Sequence, residues 1–490
     1  MTEVEETPVP YGVRLAQLAT ADPAGVAVVV IDRDGNPHSL TWADAEAGAN
    51  RWGRAFEAEG VAVGDRVALA VPNSLDLVLA TLGSWKVGAV PVPVRWDLPD
   101  WERGRVLEVI DPALTLDEAR VGDLRVAAAA LSAEAFDERV SPQLNGICSS
   151  GATGTPKVIM SARPALWLES ATQPIYTHWT PVARPQTILV PGPMYHTNGF
   201  SSFGFLLGGD RLVILEKFSA QRALDAIENF RVTTLTATPT MFARMAAVDG
   251  IDERDLSSLV WVIQGAAMMP PTLLRRWFDL LSPEQFVMAY GMTEGLGLTV
   301  IRGDEWLTHE GSVGRGYRGT EVRILDEDRG EVATGEFGEI FLRWPSTGSY
   351  AYRGEASPLP TTSDGFASAG DIGYLDSDGY LYLVDRRADL IVSGGANVYP
   401  AEVEAALIDH PGIADVVALG LRDPQWGRRV HVVIEPADTS APPTEAEVIA
   451  YAKGRLAPYK VPKTVEFVEV IPRSEATKVS RSAMVQARGG

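Results

Sequence analysis

Cysteine is almost absent: the 490 residues contain Cys148 alone, with six histidines. A lone thiol cannot close an internal disulfide or build a cysteine-rich structural zinc site, so neither staple holds the fold. That scarcity fits a reducing, cytoplasmic setting. Positive charge is also short, 43 Lys and Arg against 64 Asp and Glu, for a formal charge of -21. The average surface therefore repels phosphate backbones and acidic lipids, and nucleic acid is not an expected partner. No apolar run reaches the ~18 residues that a membrane span needs. The opening MTEVEETPVPYG is acidic and proline-containing where an export signal needs basic and then apolar residues. What remains is ordinary globular composition, 46% hydrophobic and 22% charged, at a length that suits two or three domains.

From Val26 onward short β-branched runs alternate with helical stretches, the pattern of parallel strands covered by helices. VAVVVID (26–32), RVALAV (66–71) and AVPVPV (89–94) read as strands, with helices over 41–60 and 74–88 between them. Thr41 and Asp44 form a capping pair at the start of the first helix, and Gly60 stands where a left-handed cap is wanted at its end. Near Asp385 the texture changes to a charged turn, a short strand, a Gly-Gly loop and a helix. Strands at 415–421, 430–436 and 465–471 and a helix at 445–456 follow. The expected fold class is α/β. A large multi-layer N-terminal domain of helix-covered sheets spans residues 1–387, and a small α+β C-terminal domain spans 388–490.

Several short strings carry chemistry. SSGATGTPK (149–157) can wrap phosphates with backbone N–H groups and hydroxyls while Lys157 adds a point charge. It is not a Walker A loop, because Pro156 stands where that motif needs glycine. In AYGMTEG (289–295), an aromatic, a hydroxyl and a carboxylate share a glycine-flanked turn. Glu294 there suits Mg²⁺, which binds through one or two carboxylates plus substrate phosphates, or is a solvated turn residue. Asp371 in AGD (369–371) can accept from two ribose hydroxyls or cap a turn. GRGYRG (314–319) fits the dinucleotide fingerprint, but strand-like alternation with Gly-rich turns follows it where that motif needs a helix, so it is expected to be a decoy.

Taken in order, SSGATGTPK, MYHTNG (194–199), QGAAMMP (264–270), YGMTE (290–294), GEFGE (335–339), AGD, DRRADLIVSGGANVYPAEVE (385–404) and IPRSEATK (471–478) resemble the core motifs of the adenylate-forming family of acyl-CoA synthetases, luciferases and peptide-synthetase adenylation domains. The resemblance covers nearly the whole chain and is strongest to bacterial acyl-CoA synthetases. It implies an acyl-CoA ligase that uses ATP, Mg²⁺ and CoA to turn a carboxylic acid into a thioester through an acyl-adenylate, with AMP as co-product. It further implies that the C-terminal domain is mobile, rotating about a hinge between the two steps.

Position by position, the resemblance assigns Ser149, Ser150, Thr153 and Lys157 to the phosphate loop. It assigns Gly265, Ala266 and Tyr290 to the adenine slot, Thr293 and Glu294 to phosphate and metal contacts, and Asp371 and Arg386 to the ribose. Lys478 is the lysine that bridges substrate carboxylate and α-phosphate, and His196 lines the acyl pocket, its structural alternative being a core histidine. Gly394 and Gly395, in SGGANVYP, belong to the loop lining the pantetheine tunnel. Lys460 and Lys463 in YKVPK (459–463) are either CoA phosphate contacts or solvated lysines. No carrier-protein module is visible at either end, which favours free CoA as acceptor. A resemblance to actinobacterial ligases for bulky polycyclic acids rests on no single motif, and neither the acid nor the oligomeric state is read from the sequence.

Departures from the family pattern gather on the first half-reaction. The family usually has Ser or Thr at Ala152, Gly at Val158, Asp or Lys at the hinge position Ala388, and Gly at Thr477. The phosphate loop has thus lost a donor and gained a stiff β-branched residue. Three readings follow: a ligase with a weakened adenylation half, an enzyme that takes a preformed acyl-adenylate from a separate adenylating enzyme, and an inactive nucleotide or acyl-CoA binding protein.

Overall fold

The computed structural model describes residues 6–150, 156–180, 183–344, 350–354, 358–386, 389, 391–393, 396–423, 426–473 and 479–489. The chain forms two compact units, one of residues 1–267, 277–296 and 346–358, the other of 268–276, 297–345 and 359–490. Among the described residues no helix is long and apolar enough to cross a membrane.

The first unit is built on parallel strands. In spatial order they are Phe286–Gly291, Trp261–Gln264, Thr234–Ala237, Thr187–Val190, Arg211–Leu215 and Val26–Ile31, with Pro37–Thr41 antiparallel beyond the last. A smaller parallel sheet holds Val90–Pro93, Arg66–Ala70 and Leu114–Asp117. The apolar runs of these strands are buried because helices cover the sheet faces, as in the helix Trp42–Ala58 with Trp52 and Phe56 in the core. That helix starts with the expected capping box: Thr41 Oγ1 accepts from the Asp44 amide while the Asp44 carboxylate accepts from the Thr41 amide at 3.1 Å each. Gly60, just past its end, takes φ +88°.

Trp85, at the C-terminal end of the helix Leu75–Val87, is the hub of this core. Its ring meets Tyr11, Phe203 and Phe200 edge-on at centroid distances of 4.8, 5.4 and 6.2 Å, and its Nε1 donates to the Leu144 carbonyl at 2.9 Å. A buried indole needs such a partner for its N–H. Phe200 and Phe203 lie just past MYHTNG, so the hub also anchors that loop from behind.

The second unit contains an antiparallel sheet in the order Glu321–Leu325, Gly338–Arg343, Asp371–Leu375, Leu381–Arg386, Ser312–Gly316 and Leu298–Arg302. GRGYRG runs from one of these strands into a turn, and the next element is the strand Glu321–Leu325, so the dinucleotide fingerprint is a decoy as expected. Gly314 has its own structural reason: at φ +92° an added Cβ would lie 1.9 Å from the Val300 carbonyl oxygen. A separate sheet holds Ala396–Val398, Ile391–Ser393, Gly427–Pro436 and Ile413–Asp423, with Thr464–Phe467 parallel along Gly427–Pro436. The strand expected over 465–471 thus ends early, at Phe467. The expected domain boundary at 387/388 falls between the last strand of the first of these sheets and Ile391–Ser393.

Candidate active site

Parallel strands send the loops that follow them out at one edge, the edge where open α/β sheets bind ligands. Here the segments after Val190, Gln264 and Gly291 leave together, and they carry MYHTNG, QGAAMMP and YGMTE. The buried Asn73 fastens the first of them, accepting from the Met194 amide at 2.9 Å and donating to the Gly192 and Leu215 carbonyls at 3.0 and 2.9 Å. Gly199 closes it, since an added Cβ would lie 2.4 Å from the Pro193 carbonyl oxygen. His196 precedes the short helix Thr197–Phe200, half-buried, with its ring 4.6 Å from that of Tyr195, so it is not a core histidine. The hydroxyls of Thr197 and Thr293 are 2.8 Å apart and tie this loop to YGMTE.

Gln264 ends its strand buried, and its Nε2 donates to the carbonyls of Gly265 at 3.1 Å and Ala267 at 2.5 Å. The ledge 265–267 is therefore folded around its own preceding side chain. At Gly265 an added Cβ would make only ordinary contacts, with Ala289 O at 3.7 Å and Asn198 Nδ2 at 3.9 Å. Ala266 sits at φ +74°, where an L side chain is strained. Ala266→Gly should raise stability by about 0.5–1 kcal/mol, the strain outweighing glycine's extra freedom in the unfolded chain. A urea midpoint unchanged or lowered would show that the ledge does not hold that strain.

Tyr290 and Gly291 complete a strand, so the turn read from the sequence begins only after them, at Thr293 and Glu294. Glu294 is 9% exposed and therefore not a solvated turn residue. Its Oε1 accepts from Tyr352 OH at 2.7 Å and lies 3.3 Å from Lys157 Nζ, which also sits 4.2 Å from the centre of the Tyr352 ring. Burial first, and then the Glu294 carboxylate, drive the Tyr352 phenol well above its usual pKa, so it stays a donor. Among the described residues no group of three or more His, Cys, Asp or Glu gathers to hold a metal. A hard cation on Glu294 would take its other oxygens from phosphate and water, which is how Mg²⁺ rides with nucleotides.

Lys157 lies on the strand Pro156–Ser161, which pairs with Gly146–Ser150 on one side and Tyr350–Arg353 on the other. Ser149 and Ser150 stand opposite Lys157 and Pro156 in that register. Val158 is wholly buried among Ala68, Val90, Val92 and Met160, on the strand face opposite Lys157. Its β-branched side chain therefore packs the core and does not stiffen the phosphate-facing side, contrary to the sequence reading. Asp371 and Arg386 are Cα partners in the second unit. Ala152, Thr153, Ala388, Gly394, Gly395, Thr477 and Lys478 lie outside the described residues.

The structure thus brings Lys157, Thr293 and Glu294 together beside the His196 loop, and pairs Asp371 with Arg386. Reading by motif missed Tyr352, Thr197 and Gln264. Gln264 and Thr197 were inside quoted motifs, and the signal for Gln264 is an amide side chain immediately before a string of small residues.

A family model described as AMP-binding enzyme matches residues 16–350, and one described as AMP-binding enzyme C-terminal domain matches 402–478. The chain belongs to the AMP-binding enzyme family. Among relatives of this AMP-binding enzyme is a feruloyl-CoA synthase of an Amycolatopsis species, 33% identical over 460 residues that cover 90% of this chain and 92% of that one. A long-chain-fatty-acid–CoA ligase of Mycobacterium tuberculosis is 30% identical over 500 residues, covering 96% and 97%. A solved structure of o-succinylbenzoate CoA synthetase from Bacillus subtilis, in complex with its acyl-adenylate intermediate, superposes with a TM-score of 0.81 at 26% identity over 98% of both chains. The same synthetase has been solved with ATP and magnesium ion. The present chain is accordingly an acid–thiol ligase of the adenylate-forming type, with a large N-terminal sheet domain and a smaller C-terminal one.

Proposed function

We propose that this enzyme joins a bulky, polycyclic carboxylic acid to CoA in two steps at one site. In the first, a carboxylate oxygen attacks the α-phosphorus of ATP and pyrophosphate leaves. In the second, the CoA sulfur attacks the acyl carbon, AMP leaves, and a thioester remains. The observation that carries this reading is the Lys157–Glu294 pair set beside Thr293 at the carboxyl edge of the parallel sheet. Two like-charged reactants must meet there, and positive charge placed against the phosphates lowers that barrier.

In this reading Ser149, Ser150, Thr153 and Lys157 hold the β- and γ-phosphates, and Thr293 the α-phosphate. Glu294 would hold Mg²⁺, which would supply charge neutralisation at the phosphates. The ledge of Gly265 and Ala266 with Tyr290 receives the adenine, Asp371 and Arg386 the ribose, and His196 borders the acyl group. Lys478 bridges carboxylate and α-phosphate until the chain turns at 387–388 and brings Gly394 and Gly395 to the pantetheine arm. Lys460 and Lys463 meet the CoA phosphates. Lys460 is ion-paired with Glu402 and would have to leave it, whereas Lys463 Nζ lies 5.6 Å from the ring of Trp426, which is 39% exposed.

The test supplies chemically made acyl-adenylates of polycyclic and simpler acids together with CoA. Thioester and AMP should form in equal amounts, fastest with the polycyclic acids. A folded enzyme that yields none from a broad panel would overturn the assignment, and indifference to the acid would overturn its substrate class.

A further inference from the structure

Tyr352 lies outside every motif string read from the sequence, yet it is bonded to the carboxylate on which the proposed metal site depends. The strand Tyr350–Arg353 sets Tyr352 opposite Ile159. Lys157, two residues before Ile159, is then its diagonal neighbour on the same face, a spacing that long side chains bridge. Both reach one atom: Tyr352 OH is 2.7 Å and Lys157 Nζ 3.3 Å from Glu294 Oε1. The two contacts differ in kind. Lys157 ends a flexible stem and is a mobile charge, whereas the phenol is rigid and sits in a strand.

We propose that Tyr352 is a positioning residue for Glu294: it pins Oε1 when Lys157 swings to the nucleotide phosphates, so that Oε2 stays aimed at the arriving cation. This rests on the reading of Glu294 as the metal carboxylate. Before nucleotide binds, the ammonium neutralises Glu294; afterwards the cation does, and Lys157 is free for phosphate. Without the phenol, the carboxylate would turn after the departing lysine or lose its orientation. Metal-dependent nucleotide binding would then suffer, while metal-free nucleotide binding, which draws on Lys157, would not.

The experiment measures ATP binding to the full chain by calorimetry with Mn²⁺ present and again in EDTA, and counts bound Mn²⁺ by its electron paramagnetic resonance signal. Tyr352→Phe keeps the ring under Lys157 and removes only the hydroxyl. It should weaken Mn²⁺-dependent binding about tenfold, the size of one lost hydrogen bond to a partly solvated charge, and leave binding in EDTA within about twofold. Glu294→Gln provides the reference. If Glu294→Gln lowers Mn²⁺ affinity and Tyr352→Phe does not, the positioning role is wrong and the metal carboxylate stands. If Glu294→Gln changes nothing, the metal reading itself fails, and this inference with it. Equal loss in Mn²⁺ and in EDTA for Tyr352→Phe would mean that the tyrosine supports the site as a whole, which also overturns the proposal.

Discussion

Acid-dependent pyrophosphate exchange should be slow relative to thioester formation from supplied acyl-adenylate, held back roughly one to two decades by one missing hydroxyl. The reason is Ala152, in the stretch proposed to grip the β- and γ-phosphates, where the family pattern read from the sequence has a hydroxyl. One hydrogen bond to a charged group is worth about 1.5–3 kcal/mol, and about 1.4 kcal/mol is a tenfold rate change. Thioester formation begins after pyrophosphate has left and does not need that grip. Ala152→Thr should therefore speed exchange and leave the second step alone. Lys478→Ala should abolish exchange, because no other group stands between carboxylate and α-phosphate in the proposed arrangement, and should leave the thioester step largely intact. Fast exchange in the unaltered enzyme, indifferent to Ala152→Thr, would sink the idea and restore an ordinary two-step ligase.

Trp85→Ala should cost about 3–5 kcal/mol, the range for emptying a large buried aromatic site. Three edge-on rings and the bond to Leu144 are lost together, and Phe200 and Phe203 lose the surface against which they pack. Because those two rings follow MYHTNG directly, the early urea transition of the large domain should be accompanied by a raised KM for the acid at subdenaturing temperature. Trp85→Phe, which keeps most of the volume, should recover most of the stability. A loss below about 1 kcal/mol in the alanine variant would show that neighbouring side chains collapse into the space.

Much of the site was legible because adenylate chemistry is carried by short contiguous strings. Thr293, Glu294 and Lys157 were named from such strings, and the structure brings them together; the parallel sheet that delivers Thr293 and Glu294 followed from alternating apolar runs, whereas Lys157 comes from an antiparallel strand. Tyr352 and Thr197 were not named, because their contacts depend on pairings across 58 and 96 residues of sequence. Tyr352 becomes visible only when the strand Tyr350–Arg353 is laid against Pro156–Ser161 in register. Val158 shows the converse error. Read along the string it stiffens a phosphate loop, yet alternation along a strand turns it toward the core and away from Lys157. The extent of YGMTE was misjudged because glycine content alone suggested a turn, whereas the strand Phe286–Gly291 continues through Tyr290 and Gly291, past its paired stretch Phe286–Met288.

Asp371 and Arg386 face one another at the open end of a hairpin whose closed end is tied by Asp376, which accepts from the amides of Asp378 and Tyr380 at 2.9 Å each. Such a hairpin is a pair of tweezers with a locked joint: its tips cannot separate without unzipping the strands between them. The proposed pivot at 387–388 lies past both tips. If Asp371 and Arg386 hold the ribose as proposed, the sugar stays clamped while the downstream chain turns, and the enzyme changes tools over a held workpiece. On that proposal, handover from acid activation to thiol transfer would need no release and recapture of the nucleotide, and the reactive anhydride would not be left adrift in water.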